Sequence, residues 1–185
     1  MAILPYPINY GAIRAALARA IVAATGLDAD QVLEGQAYGP AAVRPEVPFA
    51  EFSLTGLGQP IGRDARVTGP GDTPTTYQGM RQLTGQFQFF GRTNDEAFGL
   101  ASAWVAGMYN PEVAEIMFAV ADLAVWRVDG PTNLSQLAAT AFEPRAAVNA
   151  TFGVCSVTYA NLQQVQQVPI SGQVGSAPVP TFETP

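Results

Sequence analysis

The side chains able to do acid–base or nucleophilic chemistry are few and restricted in type. The chain holds fifteen carboxylates, nine basic residues, no histidine and one cysteine. Every basic residue is an arginine; there is no lysine. No side chain therefore has an ordinary pKa near neutrality, and the commonest general base is missing. A Ser-His-Asp or Cys-His arrangement cannot be built. A GxxxxGK[ST] phosphate loop and a Schiff-base lysine are equally excluded. Histidine-based zinc sites are impossible, and Cys155 alone makes neither a thiolate cluster nor an internal disulfide. What remains is carboxylate chemistry, or none.

The carboxylates do not gather into a recognisable site. Asp28 with Asp30, and Glu112 with Glu115, are close in sequence. Neither pair has the ligand density of a calcium loop, and both read as solvated helix ends. A glycoside hydrolase needs two acids at a set separation across a cleft, and nothing here puts two acids on converging strand ends. Cys155 sits within a strand pattern with no base to activate it, so it reads as packing. The run Gly56-Leu-Gly-Gln-Pro-Ile-Gly62 has the wrong spacing for a dinucleotide loop, contains Pro60 and precedes no helix. Asn133-Leu-Ser135 and Asn149-Ala-Thr151 match the glycosylation pattern, which has meaning only in a secreted chain. The expectation is a protein without catalytic residues, metal or cofactor. Phe142-Glu143-Pro144-Arg145 stands apart: a charged pair around a proline opens the longest strand, placing Arg145 to pair with a carboxylate of its own chain or of a neighbouring subunit.

At 185 residues and 19.5 kDa the chain fits one domain, assigned to residues 1–174, with a flexible Pro-rich tail at 175–185. Charged residues make up 13%, against roughly 25% in ordinary soluble domains. Either other subunits cover much of the surface, or the surface is rich in Gln, Thr and Ser. A net charge of −6 argues against gripping DNA, which takes clustered cations on phosphates. The longest low-charge stretch, 98–128, is broken by Asn110-Pro111 and carries Glu112, Glu115 and Asp122, so no membrane span is expected. The N-terminus lacks the basic and apolar regions of a signal peptide, and a soluble cytoplasmic product is expected.

The elements follow from periodicity and punctuation. Asn9 caps a helix over 10–25, closed by Gly26, with Ile13, Leu17, Ile21 and Ala24 on one face. Strands are expected at 32–37 and 48–57. Between 56 and 76, glycines 56, 58, 62, 69 and 71 and prolines 60, 70 and 74 indicate a long loop or protruding hairpin. Residues 78–91 alternate as a strand, with Leu83, Phe87 and Phe89 on one side and Thr84, Gln86 and Gln88 on the other. Thr93 and Glu96 fit a capping box for a helix bearing Phe98, Ala101, Val105 and Met108 on one stripe. Asn110 and Pro111 open a second short helix with Val113, Ile116, Met117 and Val120 inward. Strands follow at 122–128 and 145–159. In the latter, Ala146, Val148, Ala150, Phe152 and Val154 point inward, and a switch to Cys155, Val157 and Tyr159 beside Gly153 predicts a β-bulge. Residues 162–174 read as extended. Trp104 and Trp126, in apolar stretches, read as core. The order gives an α+β fold: a mixed, mostly antiparallel sheet with about three helices packed on it, an extended loop and a C-terminal arm.

Three stretches together suggest a family. The amphipathic N-terminal helix ends in Thr25-Gly26-Leu27. The strand Gly85-Gln-Phe-Gln-Phe-Phe-Gly91 runs into Asn94-Asp-Glu-Ala-Phe98. Asn133-Leu-Ser-Gln-Leu137 leads into Phe142-Glu-Pro-Arg-Ala146 and the closing strand. Over most of residues 10–172 the chain resembles the neck or tail-terminator proteins of long-tailed bacteriophages. The resemblance implies a hexameric ring in the virion, assembled in the host cytoplasm, that caps the tail tube. The ring would meet the tail tube protein on one side and the head connector or stopper protein on the other. DNA would pass through its lumen without specific binding; no catalytic residue, cofactor or membrane is implied. The 58–75 loop and the 169–185 segment are then expected to reach neighbours, and the candidate interface residues are Arg63, Asp64, Arg66, Glu143, Arg145, Val168, Ile170 and Phe182. The alternatives are another ring of the same particle, such as a head-completion or tail tube protein, and a carboxylate-dependent wall hydrolase. Tube proteins are more β-rich, so three helices favour the terminator.

Overall fold

The computed structural model describes residues 4–5, 8–35, 45–67, 75–138, 141–160, 173–174 and 177–178. The first helix, α1 (Tyr10–Thr25), starts where the Asn9 side chain accepts a hydrogen bond from the Ala12 N–H at 3.0 Å. It stops at Gly26, whose φ of 74° is the left-handed turn that glycine takes without a Cβ penalty. Ile13, Ala16, Leu17, Ala20 and Ile21 form its buried face. Its small residues allow close packing: a Cβ added to Gly107 of the second helix would collide with Ala24.

Before α1 lies the short strand β1 (Leu4–Pro5), and after it come β2 (Val32–Glu34), β3 (Phe49–Arg66) and β4 (Thr75–Phe90). Helices α2 (Asn94–Gly107) and α3 (Pro111–Ala121) follow. The Thr93 hydroxyl accepts from the Glu96 N–H, while the Glu96 carboxylate reaches one residue further back than a strict capping box, to the Arg92 N–H at 2.6 Å. Asn110 caps α3 through the Glu112 N–H, with Pro111 opening the helix. The chain then forms β5 (Leu123–Val128), β6 (Thr132–Asn133), β7 (Gln136–Ala138), β8 (Ala141–Glu143) and β9 (Arg145–Ala160). Finally β10 (Gln173–Val174) and β11 (Ala177–Pro178) pair with each other, and β7 pairs with β8.

The main sheet has seven strands in the order β1-β9-β4-β3-β2, with β5 and β6 also on β9. Among the described strands only β2 against β3 is parallel, and the fold is α+β with a mixed, mostly antiparallel open sheet. One face carries the helices. Leu83, Phe87 and Phe89 of β4, Phe52 and Leu54 of β3, and Val148 and Phe152 of β9 pack there against α1 and α2. Trp104 of α2 is wholly buried, its ring 4.8 Å from Phe87. The other face is mostly uncharged at its centre, with Gln86, Gln88, Thr84, Asn149 and Thr151 on it.

Several local expectations are corrected. The stripe of α2 is Ala97, Ala101, Trp104 and Met108; Phe98 lies at the surface. The second strand does not end near 57 but continues to Arg66, paired with β4. The bulge expected at Gly153 of β9 is on the partner strand. The β4–β9 register runs unbroken from Thr75↔Ala160 to Phe90↔Arg145, so the even residues of β9 keep facing inward, Ser156 included. The extra residue is Trp126 of β5, between Val125 and Arg127. Gly153 lacks a side chain because the Trp126 indole occupies that space. Trp126 itself is 42% exposed and is not core. The extended run at 162–174 and the tail lie outside the described residues, apart from β10 and β11.

Candidate subunit interface

The candidate residues separate into two groups at opposite ends of the sheet. The β3–β4 ladder begins at Phe49↔Phe90 and ends at Arg66↔Tyr77. At about 3.3 Å per residue, β4 alone spans roughly 40 Å between those ends. Arg145 pairs with Phe90 at the first end; Arg63, Asp64 and Arg66 lie at the second.

At the first end, Arg145 is built into the fold. Its N–H donates to the Ser135 hydroxyl oxygen at 3.0 Å, and its carbonyl accepts from the Leu134 N–H at 2.8 Å. The Ser135 hydroxyl in turn donates to the Asn94 side chain at the start of α2, at 2.6 Å. The guanidinium carbon stands 5.9 Å from the centre of the Phe90 ring, which stacks on Phe49 at 4.4 Å. Of the two carboxylate partners expected, one in its own chain or one in a neighbouring subunit, the described residues of its own chain supply none and offer an aromatic face. Glu143, at the end of β8, is half-buried.

At the second end, β3 is bent by glycine. The register with β4 shifts between Leu54 and Gly56, between Gly56 and Gln59, and between Ile61 and Ala65. Gly58 and Gly62 sit in these irregularities with φ of 68° and 72°. Only glycine adopts such angles cheaply, and each bulge adds twist. At the last bulge Asp64 turns across the ladder to Arg81 of β4, making two hydrogen bonds of 2.7 and 2.6 Å. Gly79 leaves the room for this pair, since a Cβ there would strike the Asp64 carboxylate. The Arg81 hydrogen bonds hold the Asp64 carboxyl below its usual range, and Asp64 raises Arg81 in return. Arg63, beside it, is exposed and has no ion-pair partner among the described residues. The backbone of Arg66 closes the ladder. Val168, Ile170 and Phe182 lie outside the described residues.

Sequence reasoning missed where apolar surface is exposed. Beyond residue 58 the β3–β4 arm shows Ile61, Val67 and Met80, of which Ile61 and Met80 are cross-strand neighbours. The helical layer shows Tyr109 at 73% and Phe118 at 62% exposure, with Phe98 less so. On α3, Glu115, Phe118 and Asp122 share the outward stripe opposite the buried Val113 and Met117. The signal was Phe118 itself, the one large apolar residue of α3 off the inward stripe. Among the described residues no group of three or more Cys, Asp or Glu side chains could hold a metal ion.

The family described as phage neck terminator protein matches residues 11–176. The chain belongs to the phage neck terminator family. It is a structural protein of the phage particle, and as a neck terminator family member it works in contact with other proteins of that particle. Among solved structures it is similar to a chain of the virion of a native gene transfer agent particle, at 14% identity and a TM-score of 0.25, covering 80% of this chain and 98% of that one. No curated protein matches.

Proposed function

We propose that this neck terminator family member is the subunit of a hexameric ring that closes the tail tube and joins it to the head connector. The family match over residues 11–176 carries this reading. Three features of the chain support it. The net charge of −6 suits a lumen through which DNA passes without being held, because phosphates are repelled. The end of the sheet beyond residue 58 of β3, where β4 stays paired with β9, gives each copy a surface with exposed apolar side chains. The charge-poor composition suits a subunit partly covered in a particle. Assembly would take place in the host cytoplasm, with the tail tube protein below the ring and the connector or stopper protein above it. No enzymatic step is assigned. Mass photometry and electron microscopy of purified protein with tail tubes test the proposal. Rings at tube ends are expected; a strict monomer that never meets a tube end overturns it.

A further inference from the structure

The described surface carries two apolar patches with opposite charge. The arm joins Ile61, Met80 and Val67 to the unpaired Arg63, because Asp64 is neutralised by Arg81. The outward stripe of α3 joins Phe118 to Glu115 and Asp122, with Glu112 and Tyr109 at its start. From residue 93 to residue 122 the chain holds acids but no arginine.

Asp122 strengthens the argument independently. It caps α3 in the left-handed region, with φ of 49°, the only non-glycine residue there among those described. It also places a negative charge at a helix C-terminus, where the macrodipole is negative already. Aspartate is among the few residues that tolerate this backbone, but the helix dipole disfavours its charge. Among the described residues no cation offsets it. A cation brought by a second copy would offset that charge.

We infer that the Glu115–Phe118–Asp122 stripe of α3 receives the Arg63-bearing arm of a second copy of this chain. The inference rests on the ring reading and names the surfaces that make the ring. Each surface is unlike the other, so the contact is head-to-tail, the kind that closes into a ring when the rotation between copies allows. Phe118 would be covered by the Ile61–Met80 side of the arm, and Arg63 would meet Glu115 and Asp122 at the edge of that contact.

Charge reversal tests this. Arg63→Glu and Glu115→Arg are made singly and together, with Phe118→Ser as a fourth variant. All three positions are exposed, and circular dichroism checks that each variant folds. Assembly is read as the concentration at which rings form, by mass photometry with and without tail tubes. Each single variant is expected to need about tenfold more protein, and R63E/E115R to recover most of that loss. Single variants that assemble like the unaltered protein overturn the inference, as do single losses that the double variant fails to restore. If the unaltered protein forms no ring, the ring reading itself fails; if it does and the variants match it, only the assignment of these surfaces fails.

Discussion

Replacing Gly153 by alanine isolates the contact that shapes the edge of the sheet. Gly153 lies in β9 opposite Ala124 and is covered by the Trp126 indole. Its φ is not positive, so alanine meets no backbone strain there. Alone, the change removes a flexible residue from a strand interior and should stabilise by about 0.5–1 kcal/mol. The added methyl, however, falls far inside contact distance of three atoms of the indole. Overpacking of this kind costs about 1–3 kcal/mol. The clash wins, and G153A is expected to destabilise by about 0.5–2 kcal/mol. In a W126A background the same change should reverse sign and stabilise, giving a coupling of about 1–3 kcal/mol. The assay is urea unfolding of the four proteins, followed by circular dichroism and by the fluorescence of Trp104, which is buried and common to all. Effects that add to within about 0.5 kcal/mol would mean that Trp126 swings aside freely, and the account of the bulge would be wrong.

Three further outcomes follow from the same geometry. The folded-state pKa of Asp64 is lowered by Arg81, so the pair stabilises the protein above the ordinary aspartate value of 3.8 and loses that contribution as pH falls through the lower folded value. D64N should therefore cost up to about 1 kcal/mol at pH 7 and progressively less in acid, measured by denaturant midpoints across pH. Asp122→Gly should stabilise the isolated subunit by about 1 kcal/mol, raising Tm by about 2–4 °C, by relieving the left-handed backbone and the charge at the helix end. A melt that moves down would show the aspartate to be stabilising where it stands. Asn9→Ala removes the acceptor for the Ala12 N–H and should cost about 1 kcal/mol by the same melts.

The parts legible in the sequence are those governed by local rules. Asn9 and Gly26 bound α1 because capping needs only a side-chain oxygen at one end and a left-handed residue at the other. Asn110 and Pro111 open α3 for the same reason. The parts that were not legible depend on a distant neighbour. Residues 56–66 carry the glycines and proline of a loop or a hairpin; the choice of a hairpin ladder depends on β4 running beside them, with Gly58 and Gly62 absorbing the irregularities. Gly153 marked the right place for a bulge and the wrong strand, since its missing side chain serves a tryptophan from β5. On α2, the sets 98-101-105-108 and 97-101-104-108 share two members; the sheet decided between them by burying Trp104. Among the candidate site residues, Arg63 and Asp64 were marked by composition, but Arg81 was not, because a pair seventeen residues apart exists only once the hairpin has formed.

The free edges of the sheet narrow how copies can meet. An open sheet can grow by adding a strand from another chain, but the outer strands β2 and β5 resist it, and the side of β3 left free beyond Phe52 is broken by bulges. β2 has three residues and is held to α1 by an Arg14–Glu34 ion pair of 2.6 Å. β5 is interrupted at Trp126 and ends in the Arg127–Asp129 pair. Short, bulged and charged edges are poor templates for strand addition. Among the described side chains few cations are left unpaired at the surface. Arg14, Arg81 and Arg127 face carboxylates of their own chain, and Arg145 lies over Phe90. Arg19, Arg63 and Arg92 are exposed, and of these only Arg63 stands on the arm. With so few charges to commit, the position of each matters more than their number. A cation on the arm and acids on α3 favour contact between unlike surfaces over a two-fold pairing of like ones, and repeated unlike contacts close into a ring when the rotation allows.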